Sequence, residues 1–197
     1  MIRRFTTALL LTAALPAFGQ QTQAPAPAPG ASETAYRRVE LKPTQGDGKA
    51  LPYTVEIPAD WQVRQEQGYP GLWLGSVGAR PPESPNLIYV RGSLVSLADP
   101  EKVAASIREK DAKEEAWSAP RVEVKDMGGV RGVLVRMDSG EGDKARSTLA
   151  LKLPLGDTGV DFMASASRTD FEKMLPVYEK ILLSVRPAAP APQAQKQ

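Results

Sequence analysis

The sequence predicts an α+β domain in which an antiparallel β-sheet is sandwiched between helices, an α/β/α arrangement. Three observations lead there. Apolar and polar residues alternate with a period of two along most of the region between Tyr36 and Ser167. Only two segments carry a helical stripe instead. Glycine-rich turns join the last four strand-like segments closely enough to make an antiparallel meander.

The strands come in order. Val39 and Leu41 alternate with Arg38, Glu40 and Lys42, and Tyr53, Val55 and Ile57 alternate with Thr54 and Glu56. Leu72 and Leu74 flank Trp73. Leu87 to Val90 is a continuous apolar run, the mark of a strand covered on both faces. Val122 and Val124 alternate with charges, then Val133, Val135 and Met137 share a face opposite Leu134. Leu149, Leu151 and Leu153 follow, then Val160, Phe162, Ala164 and Ala166. Gly128-Gly129, Gly140 to Gly142 and Gly156 to Gly159 supply the turns.

The first helix is predicted from a cap at Asp99 and a proline at its first position, Pro100, to about Trp117. Val103 and Ile107 share its apolar face, while Lys110 and Glu114 continue the same stripe. The second helix is expected to begin at Thr169, with Glu172 completing a capping box. Phe171, Leu175, Tyr178, Leu182 and Val185 follow helical spacing. Pro176 lacks a backbone donor, which predicts a break there and a fresh helix from Pro176.

The ends read differently. Arg3 and Arg4, the apolar stretch from Thr6 to Leu15 and the small-bulky-small Ala17-Phe18-Gly19 form the pattern of a cleaved export leader. The apolar run is too short to span a bilayer. Prolines alternate with alanine after the leader and again from Pro187 onward. The expected organisation is a signal peptide at 1–19, a disordered linker at 20–35, a domain at 36–186 and a disordered tail at 187–197. That places the protein in the periplasm or outside the cell.

Composition narrows the chemistry. Arg3 and Arg4 belong to the leader; without them the 25 basic residues fall to 23, which match 23 acids. A formally neutral domain has no bulk attraction for nucleic acid or an anionic membrane. There is no cysteine and no histidine. Disulfide stapling, the common zinc sites and imidazole-based nucleophilic catalysis are therefore closed to this chain. No serine has a lysine three positions later, so the Ser-x-x-Lys alternative is closed too. Carboxylate chemistry and hard-cation binding survive.

Strand Tyr53 to Ile57 leads into Pro58-Ala-Asp-Trp61. A central helix and a meander follow, and the chain closes with a helix running from Phe171 into Ser184-Val-Arg-Pro187. Over roughly Arg37 to Arg186 this resembles the PsbP-like superfamily, which includes the bacterial exported DcrB-like proteins. The resemblance implies an antiparallel sheet between helices. It also implies non-catalytic binding to other macromolecules, the property that photosystem accessory subunits, a nuclear transport factor and secretion chaperones of this fold have in common. The quoted residues form the fold and imply no catalytic role.

Several residues stand out one by one. Trp61 reads as a core plug. Tyr69, Pro70 and Gly71 with Trp73 form an aromatic loop that either anchors a partner or turns Trp73 back onto the sheet, and Trp117 presents the same choice. Asp138 to Asp143 is an acidic turn, a candidate for calcium whose spacing fits a solvated hairpin tip better. Arg80 to Pro85 is a stiff connection. Gly128 to Gly132 lacks the lysine and the following helix of a phosphate loop.

The expected function is a non-catalytic accessory or binding protein, monomeric, without cofactor or metal and without stable membrane insertion once the leader is removed. It would dock a protein partner through Tyr69, Trp73 and Trp117 or through a sheet edge. A carboxylate-based hydrolase of an envelope glycan and a purely structural envelope protein are the alternatives.

Overall fold

The computed structural model describes residues 34–42, 50–65, 71–79, 84–93, 95–111 and 120–188. The predicted leader lies outside them, as does most of both proline-rich segments.

The described elements are β1 (Tyr36–Glu40), β2 (Tyr53–Pro58), β3 (Trp61–Arg64), β4 (Gly71–Ser76), β5 (Leu87–Ser93), α1 (Pro100–Asp111), β6 (Arg121–Asp126), β7 (Arg131–Ser139), β8 (Arg146–Leu155), β9 (Thr158–Ser167), α2 (Arg168–Leu183) and β10 (Arg186–Pro187). Seven strands form the main sheet in the order β3-β4-β5-β9-β8-β7-β6. Every pairing in it is antiparallel. The expected meander is β6 to β9. Its first turn is set by Asp126, whose Oδ1 accepts from the backbone N–H groups of Gly128 and Gly129 at 2.9 and 3.0 Å. Gly128 has φ of 79°, a conformation that favours glycine.

The main core lies on one face. There Trp61, Leu74, Ile88, Val90, Leu151 and Phe162 meet Phe171, Tyr178, Ile181 and Leu182 of α2. Helix α1 packs on the opposite face, over the β6–β7 end, where Val103, Ala104 and Ile107 meet Val122, Val133 and Val135. The sheet thus lies between two helices, as the sequence predicts.

Four local expectations are corrected. Strands β1, β2 and β10 do not join the main sheet but form a separate three-stranded sheet that closes the α2 side of the core. The end of α2 holds it in place: Glu56 N–H donates to Ser184 Oγ at 2.8 Å, and Ala188 N–H to the Pro52 carbonyl at 2.9 Å. Among the described residues no helix covers the far side of Leu87 to Val90. Ile88 and Val90 face the main core, while Leu87 and Tyr89 pack with Trp73 and Ala79.

The cap of α2 is Ser167 with Asp170, not Thr169 with Glu172. Ser167 Oγ accepts from the Asp170 N–H at 3.2 Å and donates to its carboxylate at 2.9 Å. Glu172 instead pairs with Arg136. Finally, α2 runs unbroken through Pro176. Pro176 and Glu172, whose carbonyl loses its partner, are both exposed, so water can serve that carbonyl. Phe171 before the proline and Tyr178 after it are buried against the same core, which holds both halves in line. Helix α1 starts as predicted, with Lys102 N–H bonded to Asp99 Oδ1 at 3.1 Å. Its expected extension to Trp117 lies outside the described residues.

Two stability predictions follow from this packing. Trp61 is 4% exposed within the main core. Trp61→Ala should cost about 3–5 kcal/mol in urea unfolding. The Tyr178 hydroxyl donates to the Pro85 carbonyl. Burial, reinforced by the Asp170 carboxylate and opposed by Arg146, pushes its pKa up to about 12. The unfolded chain ionises this group near its ordinary value of 10.0. Its contribution is therefore complete below that pH and declines as pH rises toward about 12. Tyr178→Phe should shrink the loss of stability over this window, read as unfolding midpoints against pH.

Candidate functional site

The face under α1 is built by register. Pairing across six strands puts Val124, Val133, Lys152, Asp161, Arg91 and Gly71 in one row. The next row holds Val122, Val135, Ala150, Met163, Tyr89, Trp73 and Arg64. Both rows begin apolar beneath α1. The first turns ionic at the centre of the sheet and the second turns aromatic.

Because α1 sits over β6 and β7, it leaves a cleft beside it of about 560 Å³, with Lys152 at the sheet side. Val95, Ala98, Val103 and Ile107 give it apolar walls, and Ser96, Asp99, Lys102 and Ser106 add polar groups. The connection from β5 to α1 closes one side by crossing β9 at Gly159. A Cβ at Gly159 would stand 2.8 Å from the Val95 carbonyl oxygen and 2.8 Å from Leu97 Cδ1, so only glycine admits the strap this close. Leu97 is buried under it.

Charge is distributed unevenly here. Asp161 is 4% exposed, a costly place for a carboxylate without a partner. Lys152 Nζ supplies one at 2.9 Å. Arg91 stands opposite Asp161 on the neighbouring strand β5, exposed and outside the lining of the cleft. Lys152, Asp161 and Arg91 together carry one excess positive charge. Asp99, the carboxylate lining the cleft, is engaged in capping α1.

Of the residues singled out from sequence as a docking site, Trp73 alone lies among the described residues. Trp73 is 7% exposed and stacks on Tyr89, ring centroids 4.3 Å apart. A ring so placed packs on the sheet and offers little surface to a partner. Tyr69 and Trp117 lie outside the described residues. Beside Trp73, Arg64 donates to the Ala79 carbonyl at 2.6 Å. The sheet edges are also occupied at one point each. Arg37 donates to the outward Trp61 carbonyl of β3 at 2.7 Å, and Arg108 to the outward Val122 carbonyl of β6 at 2.6 Å. An added strand would need those acceptors.

The acidic turn is a hairpin tip. Asp138 accepts from Ser147 Oγ at 2.5 Å, and Gly142 to Lys144 form one exposed turn of 3₁₀-helix. Among the described residues no three His, Cys, Asp or Glu side chains are grouped so as to hold a metal ion. Sequence reading missed Lys152, Asp161 and Arg91, because each falls on the polar phase of an alternating strand and looks like an ordinary solvent-facing residue.

The molecule is thus an α+β domain with a cleft between its first helix and its sheet. No protein-family profile and no curated protein matches the chain. Solved structures similar to it include the cyanobacterial PsbP of Synechocystis, at 16% identity over 81% of this chain and 96% of that one, with a TM-score of 0.48. Another is LpqN, involved in cell envelope biogenesis of Mycobacterium tuberculosis, at 12% identity over 78% of this chain and 92% of that one, with a TM-score of 0.49. The likeness is one of fold.

The ion pair generates its own prediction. Lys152→Met alone should destabilise the chain by about 3–5 kcal/mol, because it strands the Asp161 carboxylate. Lys152→Met with Asp161→Leu should recover most of that loss. A double-mutant cycle in urea checks both.

Proposed function

We propose that this chain is an exported binding protein that holds another molecule without changing it, and that the cleft beside α1 is where it does so. The carrying observation is that cleft: apolar walls and a few convergent polar groups around about 560 Å³, within the size range of small-molecule sites. Export rests on the leader pattern of residues 1–19. Among the described residues no helix is long and apolar enough to cross a membrane.

Docking a protein through the aromatic loop or a sheet edge draws less support. Trp73 is turned inward, and both edges carry an arginine-capped carbonyl. The large apolar side chains exposed among the described residues, Val77, Val95 and Leu183, lie in three separate segments of the chain; Val95 is in the cleft. A glycan hydrolase would need two carboxylates facing one another across the site. The residues lining the cleft include one, Asp99, already bonded to the α1 backbone.

The test is amide NMR of the purified chain during titration with small amphiphilic molecules. Shifts should concentrate on residues from Val95 to Ile107 and on Lys152. Ser106→Trp, which places an indole in the cleft from an exposed helical position, should abolish them while the unfolding midpoint stays within a few degrees. Shifts confined to other surfaces, or unchanged in Ser106→Trp, would refute the assignment.

A further inference from the structure

We propose that the cleft takes an uncharged amphiphile from solution, an aliphatic or aryl body whose neutral head accepts hydrogen bonds. This rests on the cleft being the binding site and adds the chemistry of what it takes. Charge is the first constraint. Asp99, Lys102 and Lys152 line the cleft. Asp161, 4% exposed, pairs with Lys152 at 2.9 Å. These two acids and two lysines sum to zero. Both carboxylates are engaged, Asp161 by Lys152 and Asp99 by the Lys102 N–H at the start of α1. A charged head would therefore find no opposite charge left over. An anion would have to draw Lys152 away and strand a buried carboxylate, and a cation would meet the Lys152 ammonium instead of a free acid.

Uncharged polar groups decide the head. Ser96 and Ser106 bring hydroxyls to the lining. Ser96 Oγ accepts from the Ala98 N–H at 3.5 Å, so its own O–H is left to donate. The oxygen of an alcohol, ester or amide accepts such a donor without bringing charge. The body is decided by the walls, where Val95, Ala98, Val103 and Ile107 reward apolar surface. A head without a body would leave them wet. Val95 is the only large apolar side chain of the lining that is exposed among the described residues. One valine is too little to seat the mouth in a bilayer, so the ligand comes from solution.

The experiment uses the purified chain. Sodium octanoate, 1-octanol and octylammonium chloride share one body and differ in head charge. Ethanol keeps the head and drops the body. Phosphatidylcholine vesicles carrying 1-oleoylglycerol hold a neutral head in a bilayer. Calorimetry and amide NMR report on the four small probes and co-sedimentation on the vesicles. 1-Octanol should bind about tenfold or more tightly than either ion and than ethanol, with shifts from Val95 to Ile107 and at Lys152. Added sodium chloride should leave its affinity unchanged. Asp161→Asn keeps an acceptor for Lys152 and removes its counter-charge. It should raise octanoate affinity about tenfold and leave 1-octanol unchanged. Lys102→Gln, on an exposed position of α1, leaves one excess negative charge and should favour octylammonium over octanoate by about twofold. That variant carries the charge test if Asp161→Asn fails to fold.

Either ion binding in the cleft as tightly as 1-octanol would overturn the uncharged head and leave the binding site standing. So would an ion preference that moves in no folded variant, because charge balance would then not be setting the choice. Ethanol binding as well as 1-octanol would overturn the apolar body. Co-sedimentation with the 1-oleoylglycerol vesicles would move the ligand into a bilayer and overturn the soluble source. Silence of the cleft to every probe would sink the binding reading along with this one.

Discussion

The ladder between β8 and β9 is the constraint that the other elements depend on. It runs from Arg146 opposite Ser167 to Leu155 opposite Thr158 without interruption. Side chains alternate across a strand, so this one register fixes which residues of the sheet meet α2 and which lie on the α1 side. Leu149, Leu151 and Leu153 go to the main core with Val160, Phe162 and Ala164. Lys152 and Asp161 go to the other face together, as opposite neighbours. A slip of one residue would bury the charges under α2 and expose the leucines, so the hydrophobic core and the ion pair enforce the same alignment.

The two faces are stabilised differently. The α2 side is a dry, closed core to which a helix, a sheet and a second small sheet all contribute. Tyrosine hydroxyls tie distant segments to it: Tyr178 to Pro85 before β5 and Tyr53 to Pro154 of β8. The α1 side has one core beneath the helix, where valines of β6 and β7 receive it, and a smaller cluster of Trp73, Ala79, Leu87 and Tyr89 toward β4. At the centre of the sheet the same face carries a buried ion pair. Buried pairs are weak contributors to net stability, since desolvation consumes most of the attraction between the charges. Apolar residues at 152 and 161 would have let the core extend and α1 move inward. The pair instead keeps a polar strip, and the cleft lies between that strip and the helix.

Much of this was legible from sequence. Alternation located β2 and the four strands of the meander, and apolar residues in close succession located β4 and β5. Asp99-Pro100 marked the start of α1 through local backbone chemistry alone. The errors share a cause. Pro176 and the Thr169-Glu172 pattern are local signals, and in α2 they lost to the burial of Phe171, Tyr178, Ile181 and Leu182. Strands β1 and β2 were recognised, yet their alternation carries no label for which sheet they join. That choice was made by Ser184 and Ala188, some 130 residues away in the chain.

The sequence by itself determined the class of fold, the face of nearly every strand and the closed chemistries, since these rest on residue types and on spacing within single segments. It gave no view of the cleft. Lys152, Asp161 and Arg91 each occupy an unremarkable polar position, and Gly159 passes for a turn residue. Only pairing between strands places three charges in one row, and only the path of the chain over Gly159 puts a wall beside them. Tertiary structure decided the site because its parts are neighbours through hydrogen-bond register and packing, relations that no single stretch of sequence contains.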